Sequence, residues 1–323
     1  MTNRSSLKIY VAGHNGLVGS ALIRKLKSQG YSNLITASRE EVDLQSFKET
    51  NDFISNEKPD IVFLAAAKVG GIKANIDYPV NFLLDNIAIQ SNVIKSSFNA
   101  NVERLFFLGS SCIYPKNCQQ PIKEEYLLSS ELEITNRSYA IAKIAGIEMC
   151  WAYNRQFKTK YLALMPTNLY GINDNYDLNN SHVLPALIRK IHEAKIQNLK
   201  NVTIWGTGKP KREFLLSDDL ADSMIFLMNL DKNKFDGLVD ANNLPLLNVG
   251  SGEEISIHNL ALKIKEIIGF KGNFIFDNSM PDGTYQKLMD SSKINNLGWF
   301  PSFDLNEGLK FIYADYKKEK SLL

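Results

Sequence analysis

Three observations predict an α/β chain, a doubly wound parallel sheet with a smaller, discontinuous α/β second domain. An apolar strand runs straight into a glycine turn and a helix near the N-terminus. Short apolar strands then alternate with helical periods as far as Met165, and one more helix and strand of the same kind return after a polar interruption. At 323 residues the chain exceeds one average domain. The expected sheet domain is 1–165 plus about 214–250, and the second domain about 166–213 plus 251–323.

Taken in order, Leu7 to Ala12 has the length and Ile/Val/Tyr content of a buried strand. It leads into Gly13-His14-Asn15-Gly16-Leu17-Val18-Gly19 and then the helical pattern SALIRKLKSQG. Such a turn lets backbone approach a pyrophosphate and aims helix N–H groups at it, which side chains at the glycine positions would obstruct. A Rossmann-like dinucleotide site is therefore expected here, although the spacing is G-x-x-G-x-x-G rather than G-x-G-x-x-G. The next strand, roughly Asn33 to Ala37, ends in Thr36-Ala37-Ser38-Arg39. Arg39 suits the 2'-phosphate of NADP(H), but Glu40 and Glu41 follow at once, and either could take a ribose hydroxyl instead. Further elements are a helix near Ser46 to Asn56, a strand Ile61 to Ala65, a long helix Val80 to Asn99, a strand Leu105 to Leu108, a helix bearing Tyr139 and a strand Tyr161 to Met165. A polar loop from Asn173 to Asn180 interrupts the alternation. A helix near Ser217 to Leu230 and a strand Leu246 to Gly250 read as late returns to the sheet.

The strand at Leu105 delivers Ser110, Ser111 and Cys112 at its tip, and the helix after it carries Tyr139 and Lys143. Four residues apart on a helix, the phenol and the ammonium share a face. The cation is expected to favour the phenolate and bring Tyr139 toward neutrality. The same spacing recurs at Tyr313/Lys317 and Tyr316/Lys320, within a charged amphipathic tail that reads as a solvated helix face. A net charge of +2 argues against a nucleic-acid partner. No long apolar run or signal-peptide pattern suggests a membrane, and three unevenly spaced cysteines fit a reduced, cytoplasmic protein. The four histidines are scattered, and no metal-ligand cluster is evident.

Taken together, the glycine loop, AAAKVGGI (Ala65 to Ile72), GSSCIYP (Gly109 to Pro115), YAIAK, PTNLYG (Pro166 to Gly171), NSHVLPAL (Asn180 to Leu187) and REFLLSDDLA (Arg212 to Ala221) resemble the GDP-L-fucose synthase family. These are extended short-chain dehydrogenase/reductases. The resemblance implies a homodimeric enzyme that epimerises GDP-4-keto-6-deoxy-D-mannose at C3 and C5 and reduces C4 with NADPH. Ser110, Tyr139 and Lys143 would serve the C4 oxygen, with Cys112 the epimerisation base and His182 the acid. By themselves these last two read as a small buried thiol and a helix-start histidine. Cys118, Cys150, His192, His258 and the His14 side chain are left as structural or exposed.

For the cofactor the resemblance implies the loop from Gly13 to Gly19, Arg39, Leu108, Gly109, Ser110, Ser111, Lys143, Pro166, Thr167, Asn168, Leu169 and His182. For the GDP sugar it implies Lys190, Trp205, Arg212 and Lys287. Two departures stand out: Asn15 replaces an expected arginine in the glycine loop, and Arg189-Lys190 stands where a second arginine is expected. A related GDP-sugar C4-reductase without epimerisation, a GDP-L-colitose synthase, and a non-catalytic dinucleotide sensor are the alternatives.

Overall fold

The computed structural model describes residues 6–178, 181–279 and 282–321. In chain order the first half runs β1 (Ile9–Ala12), α1 (Leu17–Ser28), β2 (Leu34–Ile35), α2 (Phe47–Glu57), β3 (Ile61–Leu64), α3 (Ile72–Asp77), α4 (Pro79–Asn99), β4 (Arg104–Leu108), α5 (Arg137–Phe157) and β5 (Tyr161–Pro166). The second half runs β6 (Asn168–Tyr170), α6 (Val183–Ile196), β7 (Asn201–Trp205), β8 (Lys211–Leu216), α7 (Ser217–Met228), α8 (Lys232–Leu238), β9 (Leu246–Val249), β10 (Glu254–Ser256), α9 (Ile257–Ile268), β11 (Asn273–Asp277), β12 (Gln286–Lys287), α10 (Ser292–Leu297) and α11 (Leu305–Ser321).

Six parallel strands form the main sheet in the order β2-β1-β3-β4-β5-β9. Side chains alternate across the pleat. Ile9, Val11, Phe63 and Phe106 join one core with Leu22 and Leu26 of α1 and Met224 of α7. Tyr10, Val62, Leu64 and Phe107 join the other with Val93 of α4 and Ile147 of α5. Both faces are covered, so these strands read as continuous apolar runs rather than alternating ones. Strand order reverses beside β1, which opens a crevice at the carboxyl ends of the strands. β2 is shorter than the sequence suggests, because only Leu34 and Ile35 pair with β1. The late strand β9 returns to the sheet edge beside β5, and α7 packs on the same core as α1.

A second layer is built on β8. β6 and β12 pair with it in parallel and β10 antiparallel, while β7 and β11 make a separate parallel pair. Apolar faces of α6, α9 and α11 close a third core around Phe214, Leu216 and Ile204. That core corrects the expectation for the C-terminal helix. Tyr313 is 8% exposed and Tyr316 1%, both inside the third core, and Tyr313 bonds His192 Nδ1 at 3.0 Å. Their helix face is buried rather than solvated, because α6 and α9 need an apolar cover; the side chain of Lys320 lies outside the described residues. Among the described residues no helix is long and apolar enough to cross a membrane, and no group of three or more His, Cys, Asp or Glu could hold a metal.

Candidate active site

Two cavities of about 520 Å³ and 350 Å³ share one wall, made by Ser110, Ser111, Tyr139, Asn168, Leu169 and His182. The larger lies over the strand ends. Gly13 turns the chain with φ +87°, and a Cβ there would stand 2.7 Å from the Ala66 backbone. A Cβ on Gly19 would overlap the Gly13 carbonyl, so α1 can begin only this close to β1 with glycine at both positions. Gly16 caps α1, and Gly16 to Gly19 line the cavity together with Gly13, Leu108, Gly109, Lys143, Pro166 and Thr167.

Arg39, four residues past β2, also lines it. The Glu41 carboxylate folds back to accept the Ser38 N–H at 2.7 Å, and neither Glu40 nor Glu41 is among the lining residues. A cavity over the strand ends that combines the N-terminus of α1 with the Arg39 cation fits a dinucleotide bearing an extra phosphate. His14 and Asn15 do not line it; His14 turns Nδ1 inward, buried with no partner among the described residues. Sequence reasoning missed Leu44, Gln45, Lys68 and Ile89, which also face the cradle. They lie in connecting segments or on a helix flank with no phosphate-loop signature.

At the shared wall, β4 ends in Ser110 with extended backbone, and a 3-10 turn at Ser111–Ile113 follows. The Cys112 N–H donates to Ser110 Oγ at 3.4 Å, and the turn brings Cys112 to the smaller cavity alone. Tyr139 and Lys143 reach the wall from successive turns of α5, Lys143 being 3% exposed. Its Nζ donates to the Leu108 carbonyl at 2.9 Å and stands 5.7 Å from the Tyr139 ring centroid. This overturns the expected tuning of the phenol. Burial pushes Tyr139 up, the Cys112 charge adds to that, and only the Ser110 hydrogen bond opposes it. Burial brings Lys143 down to about 8. The ammonium is spent on a strand carbonyl, so Tyr139 stays a protonated acid near neutrality.

Cys112 is 6% exposed, and burial raises its thiol, opposed by Lys287, the Ser110 hydrogen bond and Lys143 in that order. His182 caps the N-terminus of α6 and opens onto both cavities; desolvation by the cleft walls lowers its pKa.

Lys190, Trp205, Arg212 and Lys287 line the smaller cavity. Trp205, 48% exposed at the end of β7, has Lys190 Nζ 5.1 Å from its ring centroid, a cation–π pair beside a flat surface. Arg212 and Lys287 are Cα partners in the β8/β12 ladder. Arg189 instead bonds Glu193 at 2.7 Å and the Tyr176 carbonyl at 3.1 Å, so it is Lys190 that faces the cavity. Glu133, Thr135, Asn136 and Ser181 add a polar wall that sequence reasoning missed. Asn136 Oδ1 and Ser181 Oγ are buried without a partner among the described residues, so both can receive ligand hydroxyls. Glu133, Thr135 and Asn136 give no sequence signal, whereas Ser181 adjoins His182 in the NSHVLPAL motif.

The chain is similar to known proteins along nearly its whole length. The model of the NAD dependent epimerase/dehydratase family matches residues 9–238. A putative GDP-L-fucose synthase 2 of Arabidopsis thaliana is 53% identical over 96% of this chain and 92% of its own length. The GDP-L-fucose synthase of Escherichia coli strain K12 is 46% identical over 96% of each chain. Among solved structures, a GDP-mannoheptose C4 reductase from Campylobacter jejuni with NADP bound superposes with a TM-score of 0.89, at 41% identity, covering 98% of this chain and all of its own.

Proposed function

The chain belongs to the NAD dependent epimerase/dehydratase family and, within it, to the GDP-L-fucose synthases, and on that premise we propose that it converts GDP-4-keto-6-deoxy-D-mannose to GDP-L-fucose. The cofactor is NADP(H), held by loop 13–19 and the strand ends, with Arg39 at the 2'-phosphate. When bound, it supplies the hydride for C4.

The chemistry divides between the cavities. A C4 ketone acidifies the hydrogens on C3 and C5, since removing either leaves charge on the C4 oxygen. Ser110 and Tyr139 at the shared wall donate hydrogen bonds to that oxygen where the charge develops. Tyr139, kept protonated by burial, then gives the oxygen its proton in the reduction. Lys143 lies one turn below Tyr139 and adds positive charge to the wall. Cys112 removes the ring protons, and His182 returns protons from the opposite face. Trp205 and Lys190 present a stacking surface with a cation beside it to the base, and Arg212 grips the diphosphate.

The observation that carries the epimerisation is the placement of Cys112 and His182 around the Ser110–Tyr139 wall. A C4-reductase needs only the wall. The solved C4 reductase at 41% identity makes reduction alone the rival reading. Incubation with GDP-4-keto-6-deoxy-D-mannose and NADPH separates them: GDP-L-fucose supports epimerisation plus reduction, whereas GDP-6-deoxy-mannose or its C4 epimer supports the rival.

We further propose the two-domain division at 1–165 plus about 214–250 and about 166–213 plus 251–323, and a homodimer. Val80 and Leu84 on α4 and Ile141 on α5 are 64%, 55% and 41% exposed, an apolar face suited to a second copy. Three free cysteines suit a reducing cytoplasm.

A further inference from the structure

Lys287 is a cation in the wall of the smaller cavity. Among the described residues it makes no hydrogen bond or ion pair, and the carboxylate nearest in charge, Glu133, is bonded to Lys116 at 3.1 Å and to the Thr135 N–H at 3.4 Å. An unpaired buried ammonium is held at a cost unless an anion completes it. Two anions are available in this cavity: a ligand diphosphate and the Cys112 thiolate.

The backbone favours the thiolate. From Cys112 the chain arches outward through Tyr114 to Ile122, then folds back onto the residues that follow Lys287. Ile122 N–H donates to the Leu288 carbonyl at 2.7 Å, Asp290 N–H donates to the Ile122 carbonyl at 2.8 Å, and Leu288 N–H donates to Gln120 Oε1 at 2.8 Å. Asn248, fully buried on β9, pins both ends of the arch. Its Oδ1 accepts from Tyr114 Oη at 2.6 Å, and its Nδ2 donates to the Ile122 and Asp290 carbonyls at 2.9 and 3.2 Å. On the other side, the buried Glu213 carboxylate accepts from Met289 N–H at 2.9 Å and Gly252 N–H at 2.7 Å. Lys287 is thus held in register with Arg212 on one side and tied to the Cys112 arch on the other. Burial in the cavity lowers the pKa of Lys287, Arg212 and Lys190 alike.

We propose that Lys287 is a positioning residue for epimerisation, the cation that favours the Cys112 thiolate, while Arg212 holds the diphosphate. This rests on the reading of Cys112 as the epimerisation base. The charged and titratable groups facing the sulfur are Lys143 and Tyr139 from α5 and Lys287 from β12. Lys143 is tied to the Leu108 carbonyl, whereas Lys287 makes no hydrogen bond or ion pair among the described residues and couples otherwise only to the Cys118 thiol, to Arg212 and to the already bonded Glu133. The thiolate takes a proton from C3 or C5, the C–H electron pair moves to the C4 oxygen, and Lys287 stabilises the sulfur charge before that transfer.

The test is the pH dependence of Cys112 alkylation by iodoacetamide in the ligand-free enzyme, followed on the Cys112 peptide by mass spectrometry. Lys287→Met and Lys287→Gln should raise the midpoint by about one to three pH units, the range an opposite charge at close quarters commands. Lys287→Arg should restore it, and Arg212→Met should raise the KM for the GDP sugar while leaving the midpoint within about half a unit. Solvent-deuterium entry at C3 and C5 should fall with the neutral variants and recover with Lys287→Arg. An unchanged midpoint in both neutral variants overturns the role of Lys287. Normal deuterium entry in Cys112→Ser would instead overturn the base assignment, and the alkylation curves separate the two failures.

Discussion

The cofactor cavity and the sugar cavity meet at one wall but are made differently. The first is built around glycine turns, strand ends and the start of α1, with Arg39 from the segment after β2. The second is walled by side chains from distant segments: Cys112 from the turn after β4, Glu133 and Asn136 from the approach to α5, His182 and Lys190 from α6, Trp205 from β7, Arg212 from β8 and Lys287 from β12. A backbone cradle accepts a fixed ligand wherever the fold is kept. A side-chain cavity can change its sugar or its chemistry one residue at a time, as expected of a family whose members act on different nucleotide sugars.

If this contrast holds, substitutions at the wall should damage one step severely, and substitutions at either far end should weaken one ligand only. Tyr139→Phe keeps the ring and its edge-on contact with Phe82, whose centroid lies 6.0 Å away, and removes only the acid. Reduction should fall about 10²- to 10⁴-fold with cofactor affinity intact, read by single-turnover NADPH oxidation and fluorescence titration. A rate within about three-fold of the unsubstituted enzyme would remove Tyr139 from the mechanism.

Arg39→Ala should act on the cofactor end alone. Loss of one charge-assisted phosphate contact should weaken NADPH by about ten- to a hundred-fold while NADH is unaffected. Equal use of NADH and NADPH before substitution would return the ribose to Glu40 or Glu41.

At the opposite end, Trp205→Ala should raise the KM for the GDP sugar by about five-fold, the low end for a base stacked on an aromatic ring, because the ring is half exposed. The kcat should hold. A fall in kcat at unchanged KM would move Trp205 out of nucleotide binding.

What the sequence disclosed follows the same contrast. Loop 13–19, the alternating strands and the Tyr139/Lys143 spacing are local patterns, and local patterns fix backbone. The duplicate spacing at Tyr313/Lys317 shows the limit. Spacing gives the shared helix face but not what covers it: α6 with α9 turned Tyr313 into core, while Lys317 stays exposed. Lys143 was placed correctly on its helix, yet its Leu108 carbonyl partner comes from a strand 35 residues earlier, so its effect on Tyr139 was misjudged. The cation set of the sugar cavity was legible only through family resemblance, since nothing near Lys287 announces that β12 pairs with β8. Glu133 and Asn136 had no signal at all, because their relevance arises only where loops close over the cavity, and Ser181 was visible only as the neighbour of His182 in a family motif.

The most direct test of separable chemistry on a shared wall is turnover of GDP-4-keto-6-deoxy-D-mannose by Cys112→Ser with NADPH in deuterium oxide, with the product sugar read by NMR. The alcohol is not ionised near neutrality, so proton removal should collapse, while the sulfur lies outside the cofactor cavity and takes no part in hydride delivery. The expected result is continued NADPH oxidation to an unepimerised 6-deoxy sugar with no deuterium at C3 or C5. Deuterium at both carbons in GDP-L-fucose from this variant would contradict the account.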